Sequence, residues 1–419
     1  MTTMTTIKKR DNSEVEFKLE KIINAISKAG KETGEFDEKV ALNLALDVEF
    51  ELEELSELTV EKVQDVVESV LLHSEYKATA KAYILYREKQ KQERKPDIFK
   101  HRLNLKPYEY PQLNEYKEAI QHSYWLFSEF NYSSDINDYA VNITDAERSA
   151  IKNAMLAISQ VEVTVKNFWG DLHNRMPKPE VGAVGATFSE SEVRHSDAYS
   201  HLLEILGLNE EFETIQEIPA LANRVNSLQQ AMKHLKSESN EDFTVSLILF
   251  SLFIEHVSLF SQFLIIMSFN KHKNLFKGIS NAIEATSKEE QLHGLFGIEL
   301  VNIIRKEKPE YFNQEMENKI YTACINTFGA EMEVIDWIYE KGDLDFLPKE
   351  VVKEFIKKRL NDSLVSVGYK EMFEVDDKLL DETEWFNDEI LTTKHVDFFF
   401  KRSVNYTKKT KSITANDLF

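Results

Sequence analysis

The sequence predicts a mostly α-helical protein: a long helical bundle preceded by a small N-terminal α+β module. Three observations predict it. Only 12 Gly and 8 Pro occur in 419 residues, too few for a turn-rich all-β chain. Helical apolar spacing recurs segment after segment from about residue 111 to 398. Ahead of it, two short runs, residues 7–10 and 13–17, flank Asp11-Asn12, which suits a tight hairpin turn.

The module comes first. After the hairpin, a helix is expected from about Leu19, with Ile22, Ile26 and Ala29 on one face and Gly30 as its C-terminal cap. Two or three more helices reach about residue 94. The charged stretch 89–95 and Pro96, Pro107 and Pro111 then mark a linker. The expected organisation is therefore a module over 1–95, a linker over 96–106, a bundle over 107–398 and a flexible polar tail over 399–419.

Within the bundle, Thr144-Asp145-Ala146-Glu147 is a capping box opening a helix that ends before Pro177. A helix is expected from about Ser189 to Leu206, followed by Gly207, and another from about Ile279 to Arg305. Between them lies the apolar stretch 243–269. It is long enough to cross a bilayer, but Glu255 and His256 sit at its centre with Gln262 close by, so a buried helix of a soluble bundle is the expectation.

Composition narrows the function. A net charge of −21 repels nucleic-acid phosphates. The single cysteine, Cys324, excludes an internal disulfide and a thiolate metal cluster. Residues 1–10 have no apolar run of the signal-peptide kind, so the cytoplasm is the expected compartment.

Two Glu-x-x-His units carry the chemistry: Glu192 with His195, and Glu290 with His293. Spacing of three places both side chains on one helix face, able to share a cation. Chance alone supplies about two such pairs (11 × 72/419), so context matters. Each unit follows an acid in apolar surroundings: Glu162, 30 residues before Glu192, and Glu255, 35 residues before Glu290. A buried carboxylate without a partner is expensive. One Glu from each of two helices plus Glu-x-x-His from each of two others is the ligand pattern of ferritin-like dimetal bundles, suited to two manganese or iron ions. Each residue also has a plainer reading. Glu192 could cap a helix with Ser189, Glu255 could pair with a distant cation, Glu162 could face solvent, and both histidines could be core residues.

The blocks ATFSESEVRHSDAY (186–199), LFSLFIEHVSLF (249–260) and SKEEQLH (287–293) resemble those of the small subunit of class I ribonucleotide reductase. The resemblance covers roughly residues 107–419. It implies a ferritin-like fold, a homodimer, and the metal ligands Glu162, Glu192, His195, Glu255, Glu290 and His293. It also implies transfer of an oxidising equivalent to a separate catalytic (alpha) subunit that reduces ribonucleotides. Tyr199, one turn after His195, matches a radical tyrosine, Trp125 a near-surface relay tryptophan, and Glu289 an acid linking that tryptophan to the metals. Glu162 stands where many members carry Asp. Tyr406 is the tail's candidate relay, and Leu418-Phe419 its apolar anchor.

Residues 7–22, IKKRDNSEVEFKLEKI, resemble the opening of an ATP-cone, a nucleotide-sensing domain. This implies ATP and dATP as allosteric effectors, with Lys9, Arg10, Glu16, Phe17, Lys18, Lys21, Ile22, Thr59 and Lys89 as candidate contacts; dATP would suppress activity by changing the oligomeric state. Thr59 also reads as a helix cap. No phosphate-binding GxxxxGK[ST] or GxGxxG loop occurs, so the module is expected to sense nucleotide rather than hydrolyse it. Two other functions compete: a stand-alone ferritin-like oxidase or oxygenase, and a nucleotide-binding interaction protein whose bundle is purely structural.

Overall fold

The computed structural model describes residues 6–8, 14–53, 55, 57–93, 96–102, 105–165 and 168–390. The chain divides into two compact units, residues 1–96 and 97–419.

In the first unit, β1 (Thr6–Lys8) pairs antiparallel with β2 (Glu14–Glu16), Ile7 opposite Val15. Four helices follow: α1 (Leu19–Thr33), α2 (Glu38–Leu52), α3 (Val60–His73) and α4 (Lys77–Glu93). Their core is aliphatic, built on Ile22, Ile26, Ala45, Val48, Val67 and Leu71. Gly30 does not end α1. The helix runs on to Thr33 and is capped by Gly34, whose φ of 71° suits glycine. Gly30 serves packing instead, because a Cβ there would lie 2.2 Å from the Phe36 ring.

The second unit is a helical bundle. It opens with α5 (Asn114–His122), α6 (Ser133–Val141), α7 (Asp145–Val165), α8 (Phe168–Arg175) and α9 (Pro179–Leu206). Then come α10 (Asn209–Glu213), α11 (Pro219–Ala231), α12 (Asn240–Leu249), a π-helical segment (Phe250–Ser258) and α13 (Phe260–Lys273). The long helices α14 (Lys277–Glu307), α15 (Gln314–Ile338) and α16 (Lys349–Ser366) close it. The capping box forms as expected: Thr144 N donates to Glu147 Oε2 at 2.8 Å and Glu147 N to Thr144 Oγ1 at 3.3 Å. Gly207 caps α9 in the left-handed conformation.

Two expectations change. Helix α9 begins at Pro179, ten residues before Ser189, because proline suits a first helical turn. Ser189 is therefore mid-helix and cannot cap Glu192. The apolar stretch is not one continuous α-helix, since its middle nine residues are π-helical. The most apolar window of Asn240–Lys273, long enough to cross a membrane, is wholly buried within the chain.

The π segment packs closely on α14. Gly297 permits this: a Cβ there would meet Ser251 Oγ at 2.1 Å and Ser251 Cβ at 2.4 Å. Gly297→Ala is expected to cost about 1–3 kcal/mol of stability through overpacking, read by thermal or denaturant unfolding. An unchanged midpoint would show that the helices can part at no cost.

Candidate metal centre

Four elements converge in the core. Helix α7 supplies Glu162, α9 supplies Glu192 and His195, the π segment supplies Glu255, and α14 supplies Glu290 and His293. None of the six is more than 2% exposed. They form two overlapping groups, Glu162, Glu192, His195, Glu290 and Glu192, Glu255, Glu290, His293, with the ligand atoms of each group all within 4.8 Å of one another. Glu192 and Glu290 belong to both and would bridge two ions.

His195 Nδ1 lies 2.8 Å from Glu290 Oε1, 3.4 Å from Glu192 Oε2 and 3.7 Å from Glu162 Oε1. His293 Nδ1 lies 3.0 Å from Glu192 Oε1, 3.3 Å from Glu290 Oε2 and 3.6 Å from Glu255 Oε2. Proximity is not pairing here. Both oxygens of Glu162 and of Glu192, Glu255 Oε1, Glu290 Oε1 and the Nδ1 atoms of both histidines make no hydrogen bond of acceptable geometry. Eight buried polar atoms thus face one another unsatisfied, which is what a pair of cations would satisfy.

The outer ring nitrogens are held from behind. His195 Nε2 is 2.8 Å from Glu289 Oε2, and Glu289 is in turn gripped by Arg194 Nη1 at 3.1 and 3.2 Å. His293 Nε2 is 3.0 Å from Ser191 Oγ, which itself donates to Phe188 O. A proton on each Nε2 leaves each Nδ1 lone pair facing the carboxylates, the tautomer a metal ligand needs.

Electrostatics point the same way. Burial, reinforced by Glu192 and other neighbouring carboxylates, raises the Glu162 carboxyl well above its usual range. Burial and Glu290 do the same for Glu255. Burial also opposes charge on Glu192 and Glu290, yet the two imidazoles outweigh it and hold both low. The imidazoles are raised despite burial, His195 by Glu192, Glu289 and Glu290, His293 by Glu192, Glu255 and Glu290. Without a cation the cluster holds itself together with protons that divalent ions would displace.

Residues 102–379 match the family described as ribonucleotide reductase, small chain, and residues 5–92 match the ATP cone domain. The chain belongs to the ribonucleotide reductase small-chain family, with an ATP cone at its N-terminal end. It is therefore of an oxidoreductase family with a ferritin-like bundle. A protein of invertebrate iridescent virus 3, named a probable ribonucleoside-diphosphate reductase small subunit, is 24% identical over 322 residues, covering 73% of this chain and 85% of the relative. Among solved structures, the ribonucleotide reductase R2 subunit from Clostridium botulinum has a TM-score of 0.60 at 16% identity, over 67% of this chain and 88% of that one. An R2-like ligand-binding oxidase with a Mn/Fe cofactor has a TM-score of 0.55 at 19% identity, over 62% of this chain and 94% of that one.

Three of the relay candidates, Trp125, Glu289 and Tyr199, fall around this cluster. Trp125 is 1% exposed and lies between the exposed Tyr124 and Leu126, its ring stacked on His195 with centroids 6.1 Å apart and planes at 19°. Its Nε1 has no hydrogen-bond partner, and both Glu289 oxygens go to Arg194 and His195. Glu289 thus connects to Trp125 through His195, on which the indole stacks, and through Arg194, whose Nη1 also lies 3.4 Å from Trp125 O. Tyr199 is buried one turn from His195, its hydroxyl unpartnered and its ionisation strongly opposed by burial and by Glu162. Tyr406 and the tail lie outside the described residues. The sequence reading missed Arg194 and Ser191, although Arg194 stands inside the Glu192-to-His195 motif and pairs at 3.0 Å with Glu190 one turn earlier.

In the cone, Lys9 and Arg10 lie outside the described residues. Lys8 N donates to Leu58 O at 2.9 Å, which sets β1 beside the N-terminus of α3. Thr59 caps α3, accepting from Lys62 N at 3.3 Å. Glu16 and Lys18 are exposed and 3.4 Å apart, and Lys21 and Lys89 are exposed. Phe17 packs half-buried on the cone's core, and Ile22 is buried within it.

Proposed function

We propose that this chain is the radical-generating subunit of a class I ribonucleotide reductase, with Glu162, Glu192, His195, Glu255, Glu290 and His293 holding two manganese or iron ions. The observation that carries the proposal is the set of eight unsatisfied ligand atoms facing one another in a buried core. Four carboxylates and two imidazoles suit either metal. Bound there, such a pair of ions supplies a stored one-electron oxidising equivalent.

The chain's own residues do the rest. Glu192 and Glu290, members of both ligand groups, would serve both ions. Glu289 and Ser191 orient the imidazoles. Burial of the six ligands excludes water from the oxidised centre. Trp125, stacked on His195, is the first aromatic on the way out, and Tyr406 a later one, towards a separate catalytic subunit that reduces ribonucleotides. Tyr199 is a further candidate to hold the equivalent. The cone binds ATP or dATP through Lys9, Arg10, Glu16, Phe17, Lys18, Lys21, Thr59 and Lys89, and the two effectors favour different assemblies of a homodimer. The setting is the cytoplasm.

The test is ribonucleotide reduction by manganese- or iron-loaded protein with and without a large subunit. Turnover only with the partner supports the proposal; oxidation of a small substrate without any partner supports the stand-alone oxidase. Removing residues 412–419 is expected to abolish association with the large subunit, measured by surface plasmon resonance, and to leave metal content unchanged. Undiminished association would rule the tail out as the docking arm.

A further inference from the structure

The π-helical segment has an unexplained neighbour. Arg359, on α16, is 4% exposed and makes no ion pair with any carboxylate among the described residues. Burial pulls its guanidinium down to about 9. An unpaired buried arginine is costly, and an apolar side chain of similar volume would serve packing better.

Its contacts are specific. Arg359 Nε donates to His256 O at 2.7 Å, and Nη2 donates to Gln291 Oε1 at 3.1 Å. The guanidinium carbon lies 3.5 Å from the centroid of the Phe260 ring. His256 directly follows Glu255, and Gln291 directly follows Glu290. One planar group thus bridges the backs of the two elements that carry these acids, without touching either.

A π turn needs such support. It spends an extra residue per turn, its bonding is weaker than in an α-helix, and it recurs at functional sites. Here other side chains hold its carbonyls as well: Ser363 Oγ donates to Leu252 O at 3.1 Å, and Ser258 Oγ to Phe253 O at 2.8 Å. Among the described residues, only Arg359 ties the π turn to α14 by a side-chain fork, and arginine offers its donors in one fixed plane.

We propose that Arg359 is a positioning residue for the metal centre: by clamping His256 O and Gln291 together it sets the spacing of Glu255 and Glu290, and so shapes the half of the centre formed by Glu192, Glu255, Glu290 and His293. This rests on the metal-centre reading above. Arg359→Lys keeps the charge but not the two-pronged bridge; Arg359→Leu removes both.

The experiment is manganese titration of the full chain, followed by electron paramagnetic resonance and metal analysis, beside hydrogen–deuterium exchange of the metal-free protein. In both variants the ion on the Glu255 side is expected to bind about 10–100-fold more weakly, the usual cost of losing an outer-shell support, while the ion on the Glu162 side binds as before. Exchange is expected to quicken over residues 250–258 and to stay unchanged over α7. Wild-type affinity for both ions, or equal loss of both with unaltered exchange over 250–258, would overturn the proposal. Should Arg359→Leu not fold, Arg359→Lys decides by the same readings. Should the wild type itself take up no manganese, the metal-centre reading falls, and the exchange comparison alone judges the clamp: unchanged protection over 250–258 refutes it.

Discussion

Replacing Glu290 with alanine is expected to strip both ions and bring ribonucleotide reduction to background. Glu290 belongs to both ligand groups, so its loss opens both coordination shells at once. It is also the carboxylate nearest His195 Nδ1, at 2.8 Å, and lies 3.3 Å from His293 Nδ1. Loss of a shared ligand is expected to weaken metal binding by about 100-fold or more, beyond the usual effect of losing an outer-shell partner. Glu255→Ala, by contrast, removes a ligand from one group only and is expected to leave one ion in place. Metal analysis after desalting separates the two results. The metal-free proteins are expected to diverge as well. Glu290 is held ionised by the two imidazoles, so its removal leaves buried positive charge uncompensated and lowers the unfolding temperature. Glu162 is held protonated by burial and by Glu192, so Glu162→Gln relieves that stress and is expected to raise it. Equal metal content in Glu290→Ala and the parent chain would refute the bridging role.

The second large effect lies outside the centre. Glu331, on α15, is fully buried with both carboxylate oxygens unpartnered, and burial lifts its carboxyl to about 7 against the pull of Arg224. Arg224 does not close on it. Its guanidinium donates instead to Ala157 O and, at 3.5 Å, to Ser258 O and Gln262 Oε1. A raised folded-state pKa means that, between about 4.5 and 7, the folded chain keeps a proton that the unfolded chain releases. Stability then falls as pH rises through that window and levels off above it. Glu331→Gln removes this slope. The variant is expected to match the parent below pH 4.5 and to exceed it by about 3 kcal/mol at pH 8, because each tenfold change in a protonation equilibrium is worth roughly 1.4 kcal/mol. Denaturant unfolding of metal-free protein across pH 4–8 checks it; a pH-independent difference would mean that Glu331 is ionised throughout, paired with Arg224.

Local chemistry was readable along the chain. The two short paired strands, the Thr144 capping box, the Gly207 cap and the two Glu-x-x-His units each announce themselves within a few residues, because strand pairing across a short connection, capping and same-face spacing are short-range properties. Gly30 misled because a glycine that ends a helix and one that admits a neighbouring ring look identical until Phe36 is placed in space. The π turn was invisible for a related reason: a segment apolar on every side has no polar face whose phase could slip and betray an extra residue.

Residue types and their intervals were enough to name six candidate ligands, which the fold gathers into one buried cluster, and the family they imply, since metal chelation demands particular donors at particular helical spacings. Folding alone decided how those donors are held. The pairing of Glu289 with His195 and Arg194 across 94 and 95 residues, the burial of Trp125 against His195, and the grip of Arg359 on His256 depend on which helix faces come to rest against each other. Such contacts come from the packing of the whole core, and no short stretch of sequence encodes them.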